Sequence, residues 1–403
     1  LEIVPFKAVR PTRDKVSLVT SRSYEDYTPA ELAAQLDFNP LSFLHVLSPA
    51  YTGLQSSGIE RRYRLVHQRY KSFKDDRILV QDAEPAFYLH RIVSNGYVFN
   101  GIVAAASVTD IKSDVIKKHE DTLEYRVRLF KDYLGISGFN TEPVLISYPP
   151  SPEIAKWIGI ASQRQPDFEF STTRREVHCL WKIDAEDDIR LLQNEFGKIP
   201  AAYIADGHHR SASAEMLFDD AGYETDAKKH FMVCLIAEDN VRIYPYNRLI
   251  RDLNGLDHAT FLQKLSKDFA VASKGAQWLP GHRHQWGMYL GGNYYKLTLK
   301  EDVDNGTPLD RLDAQILYGR ILKPILGIED LRNDDRIEYV SGKLPAQTLQ
   351  ARVDEGEFEL AFFLFAADMP QVRAIADAGQ VMPPKSTFIE PKFRSGLVVY
   401  EIS

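Results

Sequence analysis

Cysteine is nearly absent from this chain: Cys179 and Cys234 are the only two in 403 residues, and each sits inside an apolar, strand-like run. Two thiols exclude a disulfide framework and argue against a thiolate metal site, so both read as buried small hydrophobes. Positive charge is not in excess either. The 49 Lys and Arg stand against 56 Asp and Glu, a net charge of −7, which argues against broad electrostatic attraction to nucleic acid or an anionic membrane. No apolar run approaches the roughly 20 residues of a membrane-spanning helix, and the first residues carry charges too early for a signal peptide. A cytoplasmic protein with neither nucleic acid nor membrane as partner is therefore expected. Several nucleotide and metal signatures are also missing: G-x-x-x-x-G-K-[ST], G-x-G-x-x-G, a His-Arg-Asp loop with an Asp-Phe-Gly partner, and H-E-x-x-H. Their absence argues against a P-loop enzyme, a Rossmann dehydrogenase and a zincin.

What is present is an ordinary globular composition, 44% hydrophobic, over a length that allows two or three domains. The pattern alternates helix and strand and predicts a mixed α/β fold. Helices are expected near 28–36, 60–71, 152–162, 185–196, 258–269, 312–326 and 369–378. Two strand-like runs, 86–93 and 99–106, flank Ser94-Asn95-Gly96 and predict a hairpin. Leu123, Val127, Phe130 and Leu134 recur at helical spacing, so a helix over 119–134 stopped by Gly135 is expected. The runs 232–237 and 241–246 read as a further strand pair, and 397–402 as a closing strand. There is no internal repeat or low-complexity linker; the division into regions 1–250 and 251–403 is placed at 251–257.

The most informative stretch is Tyr203-Ile204-Ala205-Asp206-Gly207-His208-His209-Arg210, followed by the small residues Ser211, Ala212, Ser213 and Ala214. It reads as strand, turn and helix start. The first turn of a helix has unpaired N–H groups and a partial positive charge; two imidazoles and a guanidinium added there make an anion cradle suited to phosphate. Asp206 alone has a simpler reading as an N-cap. That reading leaves His208, His209 and Arg210 unexplained, since crowded cations without an anion repel.

A second cluster is Lys117-Lys118-His119-Glu120-Asp121-Thr122-Leu123-Glu124. Asp121 and Glu124 have capping-box spacing, whereas His119 and Glu120 have no such structural role. A carboxylate at Glu120 can act as a general base toward a hydroxyl or hold a metal ion. The third cluster, Met382-Pro383-Pro384-Lys385-Ser386-Thr387 with Pro391-Lys392-Phe393-Arg394, is a rigid turn that presents ammonium groups and hydroxyls, which suit a phosphate or a carboxylate; a hairpin with a solvated basic face is the plain alternative.

In chain order, Pro5-Phe6-Lys7-Ala8-Val9-Arg10-Pro11, Pro85-Ala86-Phe87-Tyr88, Lys118-His119-Glu120-Asp121-Thr122, Ala205-Asp206-Gly207-His208-His209-Arg210 and Met382-Pro383-Pro384-Lys385-Ser386-Thr387 resemble the signature blocks of the bacterial "domain of unknown function 1015" family. The Asp-Gly-His-His-Arg block also resembles the phosphate-binding motif of the ParB and sulfiredoxin superfamily, and within it the free-serine kinases. The resemblance implies a ParB/sulfiredoxin-like core with additional N-terminal and C-terminal α/β elements. It implies transfer of a phosphoryl group from ATP or ADP, with Mg²⁺, to a small hydroxyl substrate, free L-serine becoming O-phosphoserine. Glu120 is then the base, with His119 and Asp206 beside the chemistry. Gly207, His208, His209, Arg210 and Ser211 hold the phosphates, and Asp206 or Glu120 holds the metal. Arg10, Lys385 and Lys392, with Ser386 and Thr387, are the candidates for the substrate's carboxylate, and the sequence does not select among them. Two other readings remain open at this stage. One is a metal-dependent hydrolase with His119, His178, His208, His209 and Asp206 as ligands; the other is a non-catalytic nucleotide-responsive binding module. The oligomeric state is not legible.

Overall fold

The computed structural model describes residues 1–51, 58–221, 226–301, 303 and 305–402. The fold is mixed α/β and divides into two compact units. The first comprises Leu1–Lys117, Thr122–Val241 and Pro391–Ser403; the second comprises Lys118–Asp121 and Arg242–Glu390. The chain thus crosses between units at Val241 and Arg242 instead of near 251–257, and its last residues return to the first unit. The runs expected as one strand pair, 232–237 and 241–246, fall on either side of that crossing and belong to different sheets.

The first unit is built on a nine-stranded sheet. Its order is Ile116–Lys117, Ala202–Asp206, Val144–Tyr148, His230–Ala237, Tyr97–Ser107, Phe87–Ser94, Val177–Ile183 and Phe168–Ser171, with Ile3–Val4 added against Tyr97–Ser107. Two pairings are parallel, Ala202–Asp206 with Ile116–Lys117 and His230–Ala237 with Val144–Tyr148. The predicted hairpin is there: Asn95 (φ 50°) and Gly96 (φ 80°) form its turn, and both need the left-handed region that Asn and Gly tolerate. Alternate residues of the central strands, among them Ile102, Ala104, Val144, Ile146, Val233 and Leu235, form one core with Leu192 and Phe196 of the Glu186–Gly197 helix and Ile154 and Trp157 of the Pro152–Ala161 helix. A second cluster joins Phe43, Leu44 and Leu47 to Val66, Tyr70 and Phe73 of the Ile59–Asp75 helix and to Val399 near the C-terminus. Cys234 is buried and Cys179 half-buried, and neither forms a disulfide.

In the second unit the antiparallel order is Phe269–Lys274, Asn293–Leu299, Gln285–Leu290, Leu360–Leu364, Arg242–Ile250 and Ile337–Ser341, and Thr387–Glu390 pairs with the first half of Arg242–Ile250. Its core includes Leu249, Tyr289, Leu349, Phe358 and Phe363. The helix expected over 312–326 is shorter, Asp313–Leu317, and runs on as a π-helical turn at Tyr318–Leu322.

Two element boundaries carry corrections. The helix expected from 119 begins at Glu124, has Leu123 at its N-cap with no side-chain cap, and passes Gly135 to end at Ser137, where Gly138 adopts φ 80°. Asp121 therefore caps nothing, and Glu124 pairs instead with Arg128 one turn on. The closing strand expected over 397–402 shrinks to Tyr400–Glu401 against Phe139–Asn140, and Val399 just before it forms only an isolated bridge to Val9. Among the described residues no helix is long and apolar enough to cross a membrane.

Candidate active site

In the first unit the Ala202–Asp206 strand runs against Val144–Tyr148 in regular register until Ile204, where the register shifts so that Asp206 lies opposite Leu145. Such a bulge re-aims the side chains at a strand end. Gly207 follows with φ 98°, a conformation that L side chains rarely adopt, and the His208–Ala221 helix starts at once. The small residues that follow serve packing: Ser213, fully buried, donates through Oγ to the carbonyl of Val127 on the neighbouring helix.

The cations of the turn have found an anion within the chain. Arg210 donates from Nη2 to Asp206 Oδ2 at 2.9 Å and from Nη1 to the Pro143 carbonyl at 2.6 Å, with Glu142 Oε2 at 3.7 Å. Lys392, from the C-terminal segment, donates to Asp206 Oδ1 at 2.7 Å. Both carboxylate oxygens thus face cations, which replaces the N-cap reading of Asp206. Burial, the largest influence, pushes the Asp206 carboxyl up, but the charges of Lys392 and Arg210, the Lys392 hydrogen bond and His208 together outweigh it and hold the pKa at about 2. The side chains of Arg210, Asp206 and Lys392 keep 21, 34 and 39% of their surface exposed, so an anion from solution can reach all three.

The two histidines differ. The Leu123 N–H donates to His209 Nε2 at 3.1 Å, which leaves that nitrogen unprotonated and ties the turn to the start of the Glu124–Ser137 helix. His208 is buried, and its carbonyl accepts the Ser211 hydroxyl.

The C-terminal segment does more around this turn than sequence reading anticipated. Ser395 Oγ donates to Glu142 Oε1 at 2.5 Å, Gly396 N–H donates to Thr141 Oγ1, and Arg394 donates to the Thr20 carbonyl and hydroxyl. Glu142 and Ser395 were missed, and no local pattern marks them, because each owes its place to a partner far away in the chain.

Arg10 has a different set of neighbours. Its guanidinium makes a two-pronged bond to Asp82, at 2.9 and 2.7 Å, and lies over the rings of Tyr88 and Phe168. It is a buried structural ion pair, not a group offered to a substrate.

His119, Glu120, Lys385, Ser386 and Thr387 belong to the second unit. There the Met382 N–H donates to the His119 carbonyl at 2.9 Å, so the second and third sequence clusters are joined. Burial lowers the His119 pKa to about 4, which keeps its imidazole neutral near pH 7. Lys385 adopts φ 55°, its ammonium lies 5.4 Å from the Tyr246 ring centroid, and Ser386 Oγ donates to the Pro383 carbonyl.

Within the first unit the proposed metal ligands His178, His208, His209 and Asp206 form no cluster. His178 pairs with His90 on the adjacent strand, Nδ1 to Nε2 at 3.1 Å, and stacks on Phe170. Among the described residues no three His, Cys, Asp or Glu side chains gather as a metal site would require. The hydrolase reading is thus left without a ligand cluster among the described residues. Nor does Asp206 fit a resident Mg²⁺, since both its oxygens are neutralised by cations that the ion would have to displace.

A family profile described as "Protein of unknown function (DUF1015)" matches residues 3–315. Among solved structures, the chain is similar to free serine kinase in complex with AMP, at 13% identity and a TM-score of 0.38 over 73% of this chain and 91% of that one. It is similar also to SbnI with C-terminal truncation from Staphylococcus aureus, at 12% identity and 0.39 over 73 and 85%. A conserved hypothetical protein from Pyrococcus furiosus stands at 13% and 0.37 over 74 and 95%. No curated protein matches the chain.

Proposed function

The chain belongs to that family of unknown function, and we propose that it is a nucleotide-dependent phosphotransferase whose acceptor is a small hydroxyl compound, free L-serine, with O-phosphoserine as product. The observation that carries this reading is the turn at Gly207. A left-handed glycine opens a 14-residue helix, and two solvent-accessible cations, Arg210 and Lys392, converge there on one carboxylate. A phosphate at the helix N-terminus gains from the first-turn amides and the positive end of the helix dipole. It competes with Asp206 for the two cations, and this reading assigns Gly207, His208, His209, Arg210 and Ser211 to its binding.

Phosphoryl transfer demands chiefly positioning and charge neutralisation. The serine Oγ–H gives its proton to a base, a bond forms from Oγ to the terminal phosphorus of ATP or ADP, and the bond from that phosphorus to the bridging oxygen breaks, leaving the shortened nucleotide. Glu120 takes the base role on the strength of its motif and its carboxylate chemistry. Mg²⁺ enters this reading as a companion of the donor's phosphates, not as a resident ion.

The test is formation of O-phosphoserine from labelled ATP or ADP, L-serine and Mg²⁺ by the wild type and by Glu120→Gln. Gln preserves size but cannot accept a proton, so kcat is expected to fall about a hundredfold to ten-thousandfold at nearly unchanged KM. Full activity in Glu120→Gln removes Glu120 as the base. Tight nucleotide binding with no turnover of any hydroxyl acceptor replaces the kinase reading with that of a nucleotide-responsive binding module.

A further inference from the structure

Buried cations in folded proteins are normally accompanied by an anion, because an uncompensated charge away from water is costly. Arg248, in the second unit, is an exception. It is 2% exposed, and among the described residues no carboxylate pairs with it. Its guanidinium donates to the carbonyl of Tyr246 and, at 3.3 Å, to the carbonyl of Lys385, and it lies over the ring of Tyr339; Nε has no hydrogen-bond partner. Burial pulls its pKa down to about 10, partly offset by Tyr339, so it stays charged at neutral pH.

A second cation stands beside it, and among the described residues no carboxylate pairs with it. Lys385 is exposed, and its ammonium rests on the face of Tyr246. The carboxylate on the adjoining strand, Glu390, is paired with Lys343. Lys385 also holds a backbone conformation unusual for its type, φ 55°, in a turn stiffened by Pro383 and Pro384 and fastened through the Ser386 hydroxyl and the Arg248 guanidinium. Strain of this kind persists where the surroundings over-determine it, and it gathers at functional sites. Of the other two candidates for a substrate carboxylate, Arg10 is held in a buried pair with Asp82, and Lys392 stands beside Asp206 at the turn assigned above to the phosphate.

We propose that Lys385 binds the carboxylate of the acceptor amino acid, with Arg248 as the residue that positions it. This rests on the phosphotransferase reading for the identity of the ligand, but not for the existence of an oxyanion site. The two cations would attract a phosphoryl oxygen as well, and the test separates the two sources.

The experiment is isothermal titration of the full chain with L-serine, with a panel of other L-amino acids, with 2-aminopropane-1,3-diol, which lacks the carboxylate, and with ATP. It is run on the wild type, Lys385→Gln, Lys385→Arg and Arg248→Lys. Loss of one charge-assisted contact is expected to weaken L-serine about tenfold to a hundredfold in Lys385→Gln. Lys385→Arg should recover part of that loss, while the affinities for the diol and for ATP stay as in the wild type. Arg248→Lys should weaken L-serine and leave ATP unchanged; a lowered melting temperature with unaltered serine affinity would confine Arg248 to a structural part.

If Lys385→Gln binds L-serine like the wild type, the inference is overturned, while phosphoserine formation by the wild type would leave the kinase reading standing. If another amino acid binds in a Lys385-dependent way and serine does not, the inference stands and serine falls. Loss of ATP affinity in Lys385→Gln, or a wild type that binds no carboxylate of the panel, overturns it.

Discussion

Asp206 and Lys392 are 186 positions apart in the chain and form a 2.7 Å ion pair. The Asp206 carboxyl is held at about 2, against an ordinary value of 3.8: burial alone would raise it, but Lys392 and Arg210 more than reverse that. A folded-state pKa below the unfolded one means stability that is fully present above 3.8 and is lost as the pH falls through about 2. Lys392→Met should therefore be less stable than the wild type at neutral pH, and the gap should narrow as Asp206 protonates. Urea unfolding from pH 7 down to about pH 2 measures it. A gap of constant size across that range would mean the pair contributes nothing through charge.

Gly207→Ala places a β-carbon 3.0 Å from Nε and Nη2 of Arg210, at φ 98°. Backbone strain of this type costs about 1–3 kcal/mol, and the guanidinium, itself bonded to Asp206, must give way to the added β-carbon. Lower stability in denaturant and weaker nucleotide binding are expected together. Normal nucleotide affinity in the folded variant would detach Arg210 from phosphate recognition.

On the Tyr97–Ser107 strand, Gly101 lets a neighbouring strand approach closely: an added β-carbon would overlap Cys234 Sγ and come within 2.9 Å of Ile236 Cγ1. Gly101→Ala should destabilise the protein by about 1–3 kcal/mol through overpacking. Combining it with Cys234→Ala should recover part of the loss, a coupling that a double-mutant cycle reads directly. Strict additivity would show that the sulfur is not the obstacle.

Asp313 titrates in the opposite sense to Asp206. Burial pushes its carboxyl up to about 7, only partly countered by the His284 N–H and the Arg283 charge, and Oδ2 is buried without a hydrogen-bond partner. The native state keeps a proton that the unfolded chain releases near 3.8, so stability falls as the pH rises from there to about 7 and then levels off. Asp313→Asn, which resembles the protonated acid, should lose less stability than the wild type between pH 5 and pH 8. Equal slopes in the two proteins would refute the assignment.

Local patterns in the chain were enough for much of the fold. Asn95-Gly96 specified the hairpin because few residues tolerate its backbone angles, and Thr28 with Glu31 caps the Pro29–Phe38 helix, close to the 28–36 expected from the sequence. The Asp121 and Glu124 spacing failed as a capping box because the helix starts two residues later than that cap requires, at Glu124 with Leu123 as its N-cap. Spacing alone cannot tell a cap from two acids near a helix.

The sequence by itself determined the turn at Asp206–Arg210: a strand, a glycine suited to positive φ and a helix start are local events, fixed by backbone sterics and the small residues that follow. What the charged groups of that turn do was decided only by tertiary structure. Lys392, Glu142 and Ser395 come from distant parts of the chain, and ion pairs carry no signature in the spacing of the residues that form them. The same holds for Arg248, one basic residue among 49 in the sequence, which burial on a strand beside Lys385 turns into a cation with no carboxylate partner among the described residues. Charge is written in the sequence, but its partners and its distance from water are set by the packing of the folded chain, and those two quantities decide which cations are left to meet a ligand.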